Sequence, residues 1–337
     1  MKQPEEFKQR PTPGQGGDVR TITADNVNDA LQNALWWMRV AGLKEDSRNG
    51  PVMVSPGPVV TVFRRPWQRV LFWPIRDANP YFHLMEAMWM LGGRNDVAFI
   101  SQFSSNIRNY SDDGQTFHGA YGFRWRNLFG HDQLDWAVNH LKTDPTSRRC
   151  TVGMFSPSYD HLSITKDVPC NLMVTFDLRQ NVLNMTVFNR SNDIVWGLYG
   201  ANAVHFSYLQ EYMAGRLRVP MGVYRHFSNN FHIYEPHWKL LESVDDSQIY
   251  AYTSRRANSF PMFWTAQFEE NLHAFLDGTK PQSTDMYFEN IVFPMYRSWM
   301  SRKGGGTGLK ELERMPQGSD WKIAATEWIL RRENSSS

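Results

Sequence analysis

Between Val168 and Asn202 the chain carries a thiol, a guanidinium and a set of amides and carboxylates. They stand in the order Val168-Pro169-Cys170-Asn171, then Asn189-Arg190-Ser191-Asn192-Asp193, then Gly197 to Asn202. A cysteine attacks as its thiolate, and a guanidinium beside it favours the charged form. Cys170 and Arg190 supply that pairing only if the chain folds back on itself. Residues 172–177 and 182–188 are rich in β-branched and aromatic side chains and predict two strands, with 178–181 able to turn between them. Such a hairpin returns Asn189 and Arg190 to the end where Cys170 sits.

Other chemistry-bearing residues are scattered. Asn79-Pro80 opens an apolar helix that Gly92-Gly93 stops, and within it Glu86 stands among Met85, Ala87, Met88 and Trp89. That carboxylate either occupies a thin polar face or is buried, where a raised pKa suits acid or base work. Tyr121 lies between glycines in His118-Gly119-Ala120-Tyr121-Gly122, a pattern that predicts a backbone held in a special conformation. Arg148-Arg149 precede a strand over 150–155 and can grip a phosphate or form a surface pair. Arg48, in the turn over 46–51, reads from composition alone as a solvated arginine. His226 and His232 have no HExxH pattern and no cysteine partner, so hydrogen bonding is expected of them rather than metal binding.

The whole chain sets bounds on these readings. It has 337 residues and a net charge of +2, so no clustered basic face is expected for nucleic acid. Aromatic residues make up 14% with 13 Trp, which points to a packed core or a subunit contact. Two cysteines, Cys150 and Cys170, give neither a disulfide framework nor a zinc cluster, as in a reducing compartment. The start is polar and no apolar run reaches membrane-spanning length, so a cytoplasmic protein is expected, in the host cytoplasm if phage-encoded. Residues 1–21 read as a flexible arm, 22–332 as a single domain and 333–337 as a polar tail. Helices are expected from 27, with apolar spacing to 38 (capped by Thr23 or Asp25 and ended by Gly42), and over 96–103, 135–141, 202–215, most of 238–276 and 321–332. Strands are expected over 58–65 and, last in the chain, 287–295, with 304–308 as a mobile linker.

Taken in chain order, Glu86, His118 to Gly122, Arg148-Arg149, Pro169-Cys170, Arg190-Ser191-x-Asp193, Gly197, Asn202 and His232-x-Tyr234 resemble the thymidylate synthase and pyrimidine nucleotide hydroxymethylase superfamily, over roughly 27–234. The resemblance implies an α+β fold, a large mixed sheet packed by helices, with one sheet face forming a homodimer interface. It implies that Cys170 adds to C6 of a pyrimidine nucleotide, so that C5 attacks the methylene of 5,10-methylenetetrahydrofolate, with no metal. Glu86 and Tyr121 would handle protons around C4 and C5. Arg48, Arg190 and Ser191 would hold the nucleotide phosphate, with Arg148 and Arg149 reaching the partner's site. Asp193 would touch base and pterin, Trp89 and Gly197 would lie against the folate, and His232 and Tyr234 would bind the sugar hydroxyl.

Three departures bear on the product. Synthases end in a small apolar tail, where this chain has Arg331-Arg332-Glu333-Asn334; two tryptophans of the synthases fall at Ile107 and Tyr110; and the residue after the nucleophile, commonly His, is Asn171. A wetter site favours water over hydride at the exocyclic methylene, as in the phage hydroxymethylases. The segment from Trp196 to Asn202 carries one extra residue, so either Ala201 or Asn202 takes the base-reading place. Asn202 continues better into the following helix and points to dUMP. The expectation is a dUMP 5-hydroxymethylase. The competing readings are a thymidylate synthase, a dCMP or CMP hydroxymethylase, an inactive nucleotide- or RNA-binding relative, and a carbohydrate-binding module.

Overall fold

The computed structural model describes residues 18–334. Its strands are β1 (Arg20–Ala24), β2 (Leu43–Ser47), β3 (Gly50–Val54), β4 (Val59–Phe63), β5 (Thr151–Gly153), β6 (Asn171–Arg179), β7 (Val182–Asp193) and β8 (Met221–Tyr234). They form one mixed sheet in the order β1-β4-β8-β7-β6-β5, with β3 also paired to β8 and β2 to β3. β1–β4 and β7–β8 are parallel and the remaining pairs antiparallel.

The β6–β7 hairpin has a two-residue turn. Arg179 pairs with Val182, and Gln180 and Asn181 take φ of 52° and 59°, the left-handed pair that matches the twist of the flanking strands. The parallel β7–β8 pair needs a crossover, which the segment Ile194–Asn202 and the helix Ala203–Leu217 provide. Its register sets Ser191 opposite Asn230 and Asp193 opposite His232. β3 then brings Val54 to His232 and Val52 to Tyr234.

One face of the sheet is the core. Val174, Phe176, Leu183, Met185, Val187 and Tyr224 are buried there, each apolar side chain contributing on the order of 1.5–3 kcal/mol by leaving water. The helix Ala203–Leu217 covers this face and is buried from Ala203 through Ala214, as a helix between a sheet and further helices must be. The helix Pro80–Leu91 packs on it. Asn79 caps that helix by accepting from the backbone N–H groups of Tyr81 and Phe82, and Pro80 fills its first turn. The opposite sheet face, with Met173, Thr175, Thr186, Phe188, Arg225 and Phe227, stays partly exposed.

Several expectations change. Residues 287–295 are helical, not a strand: the Asp285 carboxylate accepts from the N–H groups of Tyr287 and Phe288, and Phe288–Val292 leads into the helix Phe293–Lys303. A cap at the right place outweighs β-propensity. Residues 304–308 cap that helix rather than forming a linker, with the Gly304 N–H on the Met300 and Ser301 carbonyls and Gly305 and Gly308 left-handed. Of the expected arm, Arg20 and Thr21 belong to β1, Asp18 and Val19 are exposed residues leading into it, and residues 1–17 lie outside the described residues. The first helix, Val27–Ala41, is capped by Asn26 and not by Thr23 or Asp25. Residues 238–276 are mostly helical as expected, but in pieces: the 3-10 helices Glu235–Leu241 and Asp246–Tyr250, the short helix Ala251–Ser254 and the helix Ala266–Leu276. Glu333 and Asn334, expected in the polar tail, close the helix Asp320–Asn334, and residues 335–337 lie outside the described residues. The turn bearing Arg48 joins two strands, and β2 escaped notice because Leu43-Lys44-Glu45-Asp46-Ser47 is polar and exposed throughout.

Candidate active site

Cys170 sits immediately before β6, and Arg190 on β7 fastens its loop. The Arg190 backbone N–H donates to the Cys170 carbonyl at 2.9 Å, while its guanidinium donates to the carbonyls of Pro169 and Val168 at 3.0 Å each. Burial pushes the Cys170 thiol above its ordinary pKa, Arg190 and Arg48 pull it down and Asp167 pushes it up. The expected guanidinium effect is present, yet burial outweighs it and the resting group is a thiol. Cys150 differs in kind. Desolvation pushes it up to about 12, and its sulfur faces the Ala137 carbonyl in the core.

Tyr121 meets the backbone N–H of Asn171 beside the nucleophile. Burial first, then Cys170 and Asp167, drive its hydroxyl far above the ordinary tyrosine value, so it stays a proton donor. Asp167, missed in the sequence, is pushed up to about 6 by burial while accepting from the Gly119 N–H at 2.7 Å. The glycines around Tyr121 serve close approach, not an unusual φ. A Cβ on Gly119 would lie 2.6 Å from the Asp167 carbonyl oxygen, and one on Gly122 would lie 2.0 Å from that of Met90.

Glu86 is buried rather than on a polar face, and one carboxylate oxygen lies 2.8 Å from His205 Nε2 on the neighbouring helix. His205 was not singled out, although its helical spacing from Asn202 would have put both on one face. Asp193 ends β7 and caps the next segment, accepting from the N–H groups of Val195 at 3.3 Å and Trp196 at 2.7 Å. Beside it Arg76, also missed, donates to the Val195 carbonyl at 2.9 Å and lies 4.2 Å from the Trp196 ring. Burial lowers Arg76 to about 10, with Asp193 and then Asp77 opposing.

Ile194–Asn202 is wound as a π-helix broken at Gly200, a form that accommodates an extra residue and recurs at functional sites. Asn202 is buried and donates to Asn192 Oδ1 at 3.0 Å, whereas Ala201 is half-buried. A Cβ on Gly197 would make only ordinary contacts with Asn192, Asn202 and Asp193, so no protein neighbour forces glycine there. His232 Nδ1 lies 2.7 Å from Asn230 Oδ1, its ring edge-on to Tyr234, and the Asn49 amide donates to the Tyr234 hydroxyl at 3.4 Å. Ser191 is half-buried between Arg190 and this group.

Two sets of expected residues stand apart. Trp89 is only 2% exposed and donates its indole N–H to the Asp96 carbonyl at 3.2 Å, so it backs the wall instead of facing a folate. Arg148 and Arg149 are exposed in a surface pocket with His140, Asp144, Thr146 and Ser147. Among the described residues neither guanidinium forms an ion pair, no group of three or more His, Cys, Asp or Glu could hold a metal ion, and no helix is long and apolar enough to cross a membrane.

The arrangement offers a thiol that feels the charge of two guanidinium groups, a held phenol, a buried carboxylate and a buried set of amides. A family model described as thymidylate synthase matches residues 75–275. The chain is similar to a deoxyuridylate hydroxymethyltransferase of Pseudomonas phage M6, 42% identical over 93% of this chain and 95% of that one. It is also similar to a deoxyuridylate hydroxymethyltransferase of Bacillus phage SP01, 36% identical over 57% of this chain and 53% of that one. Among solved structures, the thymidylate synthase from T4 phage matches in fold with a TM-score of 0.55 and 21% identity, over 64% of this chain and 79% of that one. With the family model spanning more than half of the sequence and one relative matching along nearly all of it, the chain belongs to the thymidylate synthase family.

Proposed function

We propose that the protein transfers the one-carbon unit of 5,10-methylenetetrahydrofolate to C5 of dUMP and, through addition of water, yields 5-hydroxymethyl-dUMP. The observation that carries this reading is the π-helical turn that seats Asn202, not Ala201, in the buried floor. An asparagine amide can donate to O4 of uracil and accept from its N3–H. The likeness to phage deoxyuridylate hydroxymethyltransferases supports the same substrate and product.

In this reading Arg48, Arg190 and Ser191 bind the 5′-phosphate, and His232 and Tyr234 bind the sugar hydroxyl. Phosphate binding orients the ring over Cys170, whose thiolate adds to C6. Asn202 and Tyr121 hold the ring polarised and Glu86 handles the proton at O4, so C5 attacks the folate methylene. Asp193 and Gly197 border the pterin. Loss of the C5 proton and of tetrahydrofolate leaves an exocyclic methylene conjugated with the ring. Water adds to that carbon, and expulsion of Cys170 restores the 5,6 double bond. The protein acts as a homodimer through its partly exposed sheet face, with Arg148 and Arg149 reaching the partner's phosphate site.

Incubation of the protein with methylenetetrahydrofolate and, separately, dUMP, dCMP and CMP tests the proposal by product mass. The expected result is a hydroxymethyl group on dUMP without dihydrofolate absorbance. A methyl group with that absorbance identifies a thymidylate synthase, turnover of a cytosine nucleotide alone overturns the base assignment, and no turnover favours a nucleotide-binding relative.

A further inference from the structure

A chain of side-chain amides runs from the residue after the nucleophile to the base-reading asparagine. Asn171 Nδ2 donates to the Phe188 carbonyl at 3.1 Å and to Asn189 Oδ1 at 2.8 Å. Asn189 Nδ2 donates to Asn192 Oδ1 at 2.9 Å, and Asn202 Nδ2 donates to the same oxygen at 3.0 Å. Asn192 Nδ2 in turn donates to His226 Nε2 at 2.9 Å and Ser228 Oγ at 2.7 Å. Asn171, Asn189 and Asn192 are at most 3% exposed, and His226 and Ser228 are wholly buried.

The direction of this chain has a physical origin. An amide group can be turned end for end unless a neighbour forbids it, and a peptide carbonyl can only accept. The Phe188 carbonyl therefore requires the Asn171 nitrogen on its side. That nitrogen faces Asn189 too and fixes an oxygen there, which fixes the Asn189 nitrogen against an oxygen of Asn192. With the Asn192 oxygen so placed, Asn202 must present nitrogen to it, because its own oxygen there would set two lone-pair groups against each other in a buried site. His226 and Ser228 accept the reverse end, and burial, which lowers His226 to about 3, keeps that ring neutral and able to accept at Nε2.

The consequence lies at the other edge of Asn202. One N–H is held by Asn192, which leaves Oδ1 and the second N–H facing outward in a fixed order. Among the described residues that Oδ1 accepts no hydrogen bond. Uracil presents an N3–H donor beside an O4 acceptor, while cytosine presents an N3 acceptor beside an amino donor. A freely turning amide can match either base, but a locked one matches a single base. We propose that Asn192 is a specificity-determining positioning residue, locking the Asn202 amide through a relay that begins at the Phe188 carbonyl, so that the site accepts uracil and rejects cytosine.

This rests on the reading of Asn202 given above, and the experiment separates the two. The ratio of kcat/KM for dUMP to that for dCMP is measured in the unmodified protein and in Asn192→Leu, Asn189→Leu and Asn192→Asp, with thermal melting as a check on folding. Leucine removes the relay while keeping the branched shape of the side chain, whereas aspartate still offers an oxygen to both Asn189 and Asn202. Both leucine variants are expected to lower the ratio by about tenfold or more, corresponding to about 1.4 kcal/mol, and the aspartate variant to keep it within about threefold of the parent. A folded Asn192→Leu that loses dUMP and dCMP turnover in equal proportion overturns the relay, as does an aspartate variant that loses selectivity as far as leucine does. Asn189→Leu decides the matter if Asn192→Leu does not fold. A parent protein that prefers dCMP means instead that the base assignment has failed.

Discussion

At the scale of single residues the site is a balance between burial and charge. Burial raises Cys170 above the ordinary thiol value of 9.0, and Arg190 is the largest opposing influence. Iodoacetamide alkylation of Cys170, followed by mass spectrometry, is therefore expected to reach half its limiting rate above pH 9. Arg190→Gln should shift that midpoint higher, because the guanidinium favours the thiolate. A midpoint below the ordinary value, or one indifferent to Arg190, would contradict this balance. Cys150 should stay unlabelled until the protein unfolds. The residues legible in the sequence were those that a local motif carries, such as Cys170 after Pro169 and Asp193 after Arg190. Asp167, Arg76 and His205 were not legible, because each owes its place to a group on a different element: Gly119, Val195 and Glu86 respectively.

At the scale of elements, closeness of backbones holds the geometry. The loop before Cys170 rests against Gly119, where an added methyl would fall 2.6 Å from the Asp167 carbonyl oxygen. Gly119→Ala must push that loop aside by a fraction of an ångström or more. Misplacing a reacting group by about 1 Å can cost on the order of a hundredfold in rate. The expected outcome is a fall in kcat of roughly that size, with a melting temperature lowered by only a few degrees. An alanine variant with parental kcat would show that the loop does not need this contact. Hairpin β6–β7 was legible because its alternating pattern and its turn residues agree. The segment 287–295 was misread because aromatic and β-branched content suits a strand, while the Asp285 cap that selects a helix lies just before it.

For the whole molecule, the sheet is covered on one face and open on the other. Its order and register were not legible from the sequence, since parallel pairing of β7 with β8 joins strands separated by the π-helix and a long buried helix. The partly exposed Phe188 and Phe227, whose ring centroids are 6.0 Å apart, lie on the open face. Phe227→Asp is expected to shift the protein towards monomer in light scattering. A complementary test mixes Cys170→Ser with an Arg148→Ala/Arg149→Ala protein after partial unfolding and refolding. Each is expected to be nearly inactive alone. In a two-fold dimer with shared sites, mixed pairs rebuild one intact site, so about one quarter of parental activity should return. No recovery on mixing would sink the shared-site arrangement.

The π-helical turn has a further consequence, for comparison between relatives. A π-helical turn holds one residue more than an α-helical one, so the winding of Ile194–Asn202 has room for the extra residue read between Trp196 and Asn202. If Asn202 reads the base, as proposed above, a column-by-column transfer of roles would give that place to Ala201 instead. An insertion of this kind also gives descent a way to re-aim one side chain without repacking the core behind it. Relatives that differ in this single residue should be aligned by backbone path, and their base preference judged only after that.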